Sequence, residues 1–125
     1  MATLRFSIVT LALLAGCATT ITTMDGRTLR LNSLEFRDYF ERVFREQNQV
    51  ATTLAFGQDE ASRIRYETLL QLEDALLEAC ADLNALAAAR RDNRALGLRL
   101  QARMATTAPS CEATTRRTSE ALDAL

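Results

Sequence analysis

The side chains that could carry out a reaction are few in this chain. It contains no histidine, so neither a Ser-His nor a Cys-His catalytic pair can form. Glu73 and Asp74 offer two carboxylates for acid–base work, but adjacent residues of a helix point about 100° apart, so a solvated acidic face is the favoured interpretation. There is no glycine-rich phosphate loop, and two cysteines far apart in sequence, Cys80 and Cys111, make a poor zinc site. The residues therefore favour a protein that is not an enzyme and that needs no metal, cofactor or small-molecule substrate.

An arginine cluster is the most suggestive binding feature of the sequence. Guanidinium groups suit phosphates and carboxylates, so the cluster could hold anionic lipid headgroups, lipopolysaccharide phosphates or an acidic partner. The favoured interpretation is instead that it pairs within the chain with the acidic residues of 67–82. A net charge of −1 gives no bulk attraction to nucleic acid. The cluster is opposed in sequence only by Asp92 and consists of Arg90, Arg91, Arg94, Arg99 and Arg103.

The start of the chain has the pattern of an export signal. One positive charge is followed by an uncharged, mostly apolar run over residues 6–14, well short of the ~18–20 residues that a helix needs to cross a bilayer. Two small residues and a cysteine come next, as at a cleavage site. This stretch, Leu14-Ala15-Gly16-Cys17, resembles the lipobox of bacterial lipoproteins.

The resemblance implies where the protein resides. Residues 1–16 would be a signal peptide that is removed, the sulfur of Cys17 would receive a diacylglyceryl group, and its new amino group would be acylated. Ala18, rather than aspartate, follows the cysteine, which under the enterobacterial sorting rule implies the outer membrane, facing the periplasm. The membrane would then be a partner through lipid chains, each buried CH₂ contributing about 0.8 kcal/mol.

The other two cysteines are expected to form a disulfide. With Cys17 lipidated, Cys80 and Cys111 remain as an even pair in an oxidising compartment, and two buried free thiols are the alternative. A continuous helix would put residue 104 about 36 Å beyond Cys80. The seven further steps to Cys111 return at most about 25 Å, but a disulfide needs Cα atoms within about 7 Å. A turn near residues 90–94 is therefore favoured over one helix of residues 60–104.

The apolar spacing predicts an all-α fold, a small antiparallel bundle of three to four helices behind a flexible N-terminal tether. Residues 17–31 are rich in threonine and predict a lipidated stalk, and residues 32–125 predict the helical domain. Apolar residues at three- and four-residue steps place one stripe on each of the first two helices. Gly57 is suited to a helix C-terminus, and Pro109 predicts a loop before it. The predicted helices cover residues 33–56, 60–90, 94–105 and 111–125.

These features favour a non-enzymatic lipoprotein that binds or scaffolds another envelope protein. In general plan the chain resembles the pilotin lipoproteins of secretion systems, which are small, helical and disulfide-bonded and hold an amphipathic helix of a secretin. The resemblance rests on the lipobox, the size and the Cys80/Cys111 pair. The alternative is a structural spacer or a self-assembling coiled coil on the membrane, which the heptad-like spacings at 36–54 and 69–86 permit.

Overall fold

A computed structural model describes residues 19–59 and 61–125 of the chain. The expected signal peptide of residues 1–16, the expected lipidation site Cys17, and Ala18 lie outside the described residues. The expected all-α bundle is confirmed, with four helices in the described part and a two-stranded hairpin added to it. In chain order the elements are β1 (Thr20–Thr22), β2 (Thr28–Arg30), α1 (Leu34–Asp59), α2 (Arg63–Ala79), α3 (Ala81–Arg91) and α4 (Leu98–Asp123).

Helix α1 has the predicted stripe. Ser33 caps it, since the Ser33 hydroxyl accepts a hydrogen bond from the Phe36 N–H at 3.1 Å. The helix runs to Asp59, three residues past the predicted end, and Gly57 is an interior residue without the left-handed backbone of a C-terminal glycine. A Cβ at Gly57 would lie 3.3 Å from Leu69 Cδ1 of α2, so the glycine allows a close approach of two helices. The buried residues of the stripe are Phe36, Phe40, Val43, Gln47, Val50 and Leu54.

The predicted helix of residues 60–90 is wrong as a single element, because the chain breaks it at Cys80. The Cys80 backbone leaves helical geometry, with φ −99° and ψ 5°, and α3 begins at the next residue. Hydrogen bonds from Cys80 N–H to Leu76 O and from Asn84 N–H to Cys80 O carry the chain across the break in nearly the same direction. Together α2 and α3 therefore form one broken arm of the bundle, which runs antiparallel to α1.

The chain reverses after α3, as the favoured interpretation expected, and the continuous helix is excluded. Asn93 adopts the left-handed conformation, φ 51°, which asparagine tolerates better than most residues. The Arg94 N–H then reaches Ala89 O at 2.8 Å, and the Asn93 N–H reaches Arg90 O at 3.3 Å. These two bonds make a Schellman motif that ends α3 and lets α4 return along the broken arm.

Helix α4 is continuous through Pro109, so the predicted loop before this proline and the separate helices 94–105 and 111–125 are wrong. An interior proline removes one backbone hydrogen bond and costs about 3 kcal/mol. Here Met104, Ala108 and Cys111 are fully buried around the proline. Their packing, together with the disulfide at Cys111, holds both halves of α4 in one helix in spite of that cost.

The predicted stalk of residues 17–31 is also wrong from Thr19 onward, because these residues form a hairpin that packs on the bundle. Ile21 pairs with Leu29 across the two strands, and both side chains are buried against the helices. The flanking strand residues, which are Thr20, Thr22, Thr28 and Arg30, alternate with them and face outward, the period-2 pattern of a half-buried strand. Gly26 has φ +85° and supplies the turn. Among residues 19–59 and 61–125, no helix is both long and apolar enough to cross a membrane.

Candidate functional site

The bundle has two chemically different ends. Helices α1 and α4 start at the end where α3 stops, which we call the basic end and define by Thr19, Leu34, Arg90, Arg94 and Leu98. A cavity of about 350 Å³ opens there between the hairpin, α1, α3 and the start of α4. The distal end lies about 39 Å away by the length of the 26-residue α1. It is defined by the exposed residues Phe56, Ile64, Tyr66 and Leu125.

Arg90 borders the cavity of the basic end, and no carboxylate of the described residues pairs with it. Its guanidinium lies over the Phe40 ring, 4.6 Å from the centroid, a cation–π contact. Among the described residues it makes no ion pair. Burial, and then the nearby charge of Arg37, lower the pKa of Arg90, with Glu41 acting in the opposite direction. An anion entering the cavity would therefore find an arginine that is held in place and not yet neutralised.

Arg94 lies at the same cavity and is only partly neutralised. Its side chain is 64% exposed, and its guanidinium contacts Asp92 Oδ2 at 3.3 Å. Arg91 contacts Asp92 Oδ1 at 3.2 Å, so one carboxylate serves two arginines. The turn after α3 thus presents net positive charge at the mouth of the cavity.

The five-arginine cluster of the sequence is divided by the fold. Arg90 and Arg94 line one cavity, and Arg91 is beside them on the turn. Arg103 lies farther along α4 and pairs with Asp82 of α3 at 3.2 Å. Arg99 has no ion pair with any residue of 19–59 or 61–125. The expected pairing of the two charged blocks is therefore correct for Arg103 and Asp82 and wrong for the rest of the cluster.

A buried carboxylate, Glu112 of α4, fastens the hairpin to the helices. Only 1% of its side chain is exposed. Its Oε1 accepts a hydrogen bond from the Met24 N–H at 3.1 Å, and its Oε2 accepts one from Arg42 at 2.8 Å. Arg116 contributes a longer contact of 3.5 Å to the same oxygen. One side chain therefore joins the hairpin turn, α1 and α4.

The pKa values of two groups next to Glu112, Arg42 and Tyr39, are raised. Burial lowers the pKa of Arg42, but the hydrogen bond and charge of Glu112 and then of Glu46 outweigh it, so the pKa is raised. Burial, and then the negative charge of Glu112, raise the pKa of Tyr39 well above its ordinary value. The Tyr39 hydroxyl is buried near Glu112 without a hydrogen-bond partner among the described residues. Tyr39 is thus held neutral beneath the Arg42 guanidinium, which lies 5.4 Å from its ring centroid.

Sequence reasoning missed Glu112 because its burial depends on the hairpin. The residue follows Cys111 in α4, and the turn of the hairpin covers it. A stalk over residues 17–31, as the sequence predicts, would leave Glu112 exposed to solvent. The only signal available was the alternation of Ile21 and Leu29 with threonines around the Asp25-Gly26 turn.

The expected disulfide is present in the structure. Cys80 and Cys111 are joined, with Cα atoms 4.6 Å apart, and their sequence separation is 31. Both cysteines are fully buried. The bridge links the break between α2 and α3 to the middle of α4. It therefore fixes the position of α4 along the axis of the broken arm.

The carboxylates Glu73 and Asp74 do not converge on a common point. Glu73 accepts a hydrogen bond from Gln58 across the α1–α2 contact, and Asp74 is exposed. In the part of the chain that the structure describes, no three His, Cys, Asp or Glu side chains are grouped to hold a metal ion. Comparison of the chain with protein-family models, with curated proteins and with solved structures gave no match.

Proposed function

We propose that this protein is a lipid-anchored helical lipoprotein of the cell envelope that acts as a non-enzymatic adaptor for another envelope protein. One observation carries the proposal. Thr19, the first residue that the structure describes, is two positions after the lipobox cysteine in sequence and lies at the basic end of the bundle. A lipid on Cys17 would thus hold one end of a rigid rod at the membrane and direct the other end away from it.

The anchor itself is supported by the sequence at residues 14–17. All four lipobox positions match, and the apolar run before them is too short to span a bilayer. One acyl chain binds a membrane only marginally, whereas two or three chains on one residue hold a protein stably. Ala18, rather than aspartate, follows Cys17, so the enterobacterial sorting rule favours the outer membrane, facing the periplasm.

The distal end is the proposed adaptor surface. Phe56 and Ile64 flank the connection between α1 and α2, and 72% and 81% of these side chains are exposed. Single exposed apolar residues are ordinary, but here Tyr66 and Leu125 belong to the same end and are exposed as well. Aromatic and aliphatic groups gathered on an exposed tip are typical of a contact surface for a partner protein. A pilotin-like role, in which the partner supplies an amphipathic helix, is one form of this proposal.

The alternative of a self-assembling coiled coil is less well supported. The stripes at 36–54 and 69–86 would have to face a second chain, but most of their residues are buried within this one. Phe36, Leu54, Leu69 and Leu76 are each no more than 1% exposed. Sedimentation of the purified protein in detergent checks this point, because the adaptor proposal expects a monomer and the coiled coil requires an oligomer.

Site-specific photocrosslinking in intact cells tests the adaptor. A benzoylphenylalanine at Phe56 or Ile64 should capture one envelope protein, identified by mass spectrometry. The same group at Gln49, an exposed position halfway along α1, is the matched control and should not capture it. Capture of lipid or of a second copy alone, from either distal position, would count against an adaptor.

A further inference from the structure

We propose that the basic end rests directly on the membrane surface, where Arg90 and Arg94 bind the phosphates of anionic lipid headgroups and Leu34 and Leu98 enter the interfacial region. This inference depends on the proposed lipidation of Cys17 and goes further, because it assigns an orientation to the domain and a ligand to the cavity.

The reach of the anchor is the first argument. Thr19 is two steps along the chain from Cys17, and an extended chain advances at most about 3.6 Å per step. The Cα atom of the lipidated residue must therefore lie within about 7 Å of a residue that lines the cavity. No part of the distal end can come so close, since it lies a whole helix length away.

The charge at the cavity is the second argument. Arg90 is braced by Phe40 and has no ion pair among the described residues, while Arg94 shares Asp92 with Arg91. A planar guanidinium matches a phosphate better than a point charge does. A cavity of about 350 Å³ is within the range that small ligand groups occupy. Each arginine near an anionic surface should favour the docked state about five-fold, equivalent to about 1 kcal/mol.

Exposed leucines at the same end are the third argument. Leu34 is the first residue of α1 and Leu98 the first of α4, and 74% and 82% of these side chains are exposed. Both positions have sequence neighbours that line the cavity, Asn32 for one and Leu96 for the other. Apolar side chains beside basic ones are the combination that binds an anionic bilayer surface.

The natural absence of tryptophan allows a direct test. The mature protein carrying Leu98→Trp is compared with the protein carrying Ile64→Trp, each in vesicles of phosphatidylcholine and phosphatidylglycerol with brominated acyl chains. The two positions are matched, with 82% and 81% exposure, and Ile64 even has an arginine on each side in sequence. The Leu98→Trp emission should shift to the blue and be quenched, and the Ile64→Trp emission should not.

The arginine contribution is measured in the Leu98→Trp protein. Adding Arg94→Gln should lower the ratio of docked to undocked protein about five-fold, whereas Arg65→Gln at the distal end should leave it unchanged. Equal quenching in vesicles of phosphatidylcholine alone would overturn the role of anionic headgroups. Equal emission from the two tryptophan variants would overturn the orientation.

Flotation of the same samples separates the two proposals. If the protein carries the lipid mass and floats with the vesicles but the Leu98→Trp signal is not quenched, only the present inference fails. If the protein carries no lipid and does not float, the anchor fails, and the orientation that depends on it fails as well.

Discussion

Glu112 is the residue whose loss should most affect the attachment of the hairpin to the helices, and the hairpin is the part of the domain that follows the proposed membrane anchor. The substitution Glu112→Gln keeps the shape of the side chain and removes its charge. The Arg42 guanidinium, at 2.8 Å, then loses its buried partner, and the Met24 N–H, at 3.1 Å, loses a charged acceptor. The hairpin turn should consequently be released while the helices stay folded.

The magnitude follows from the surroundings of the two partners. A hydrogen bond to a charged group contributes about 1.5–3 kcal/mol, and breaking a buried ion pair costs about 3–5 kcal/mol. The Arg42 side chain is 36% exposed and also contacts Glu46 at 3.4 Å, so water and Glu46 compensate part of the loss. We therefore expect a loss of about 2–3 kcal/mol in the free energy of unfolding, which for a domain of this size lowers Tm by about 10–20 °C.

Urea unfolding followed by helical circular dichroism measures the loss, and hydrogen exchange of the Met24 amide reports the hairpin. The matched control is Glu41→Gln, since Glu41 also pairs with an arginine, Arg37, but with half of its side chain exposed. That pair should contribute less than about 1 kcal/mol. If Glu112→Gln costs no more than the control and the Met24 amide stays protected, the hairpin is held by its apolar contacts alone and the reasoning is refuted.

Three further predictions concern other parts of the bundle. Replacing both Cys80 and Cys111 by alanine opens a 31-residue loop and should cost about 3.7 kcal/mol in urea unfolding; a cost under about 1 kcal/mol would argue against the chain-entropy estimate. Because the pKa of Tyr39 is raised from 10.0, stability should be constant below pH 10 and fall as the pH rises further, by at most about 1.4 kcal/mol per unit. In a Tyr66→Phe protein, phenolate absorbance should therefore appear together with helix loss, and its appearance before helix loss would contradict the prediction. Pro109→Ala restores an interior helix bond and should raise stability by about 1–3 kcal/mol, whereas a loss would show that the proline fits its position better than alanine.

Much of the helical part could be predicted because it depends on local spacing. The stripe from Phe36 to Leu54 is buried as its period requires. The reversal near residue 92 follows from the reach of the chain between Cys80 and Cys111, which excludes a continuous helix once the bridge is assumed. The spacing of apolar residues decides the first feature. The length of chain between two bonded cysteines decides the second.

The parts that were missed depend on contacts between distant segments. Pro109 disfavours a helix at the residue before it, and the packing of Met104 and Ala108 against the rest of the bundle, together with the disulfide at Cys111, overrides that preference. Strands of three residues carry too few alternations to be distinguished from a polar linker, so the hairpin was not predicted. Glu112 was missed for the same reason, since its burial is created by the hairpin turn 88 residues away.

The arginine cluster illustrates a limit of charge patterns. Blocks of opposite sign predict attraction but not which side chains meet. Helix geometry places Arg103 opposite Asp82 and leaves Arg90 on the face toward α1, over Phe40. The basic end thus arises from the position of the turn after α3, which the sequence indicates only to within a few residues.

The central claim is that the chain is exported, cleaved before Cys17 and acylated there, so that one end of the bundle is held at a membrane. Metabolic labelling of cells with palmitate tests this claim most directly, with the wild-type protein compared with a Cys17→Ser variant. The account predicts label on the wild-type polypeptide and none on the variant. Equal labelling of both, or no label on the wild type, would contradict it.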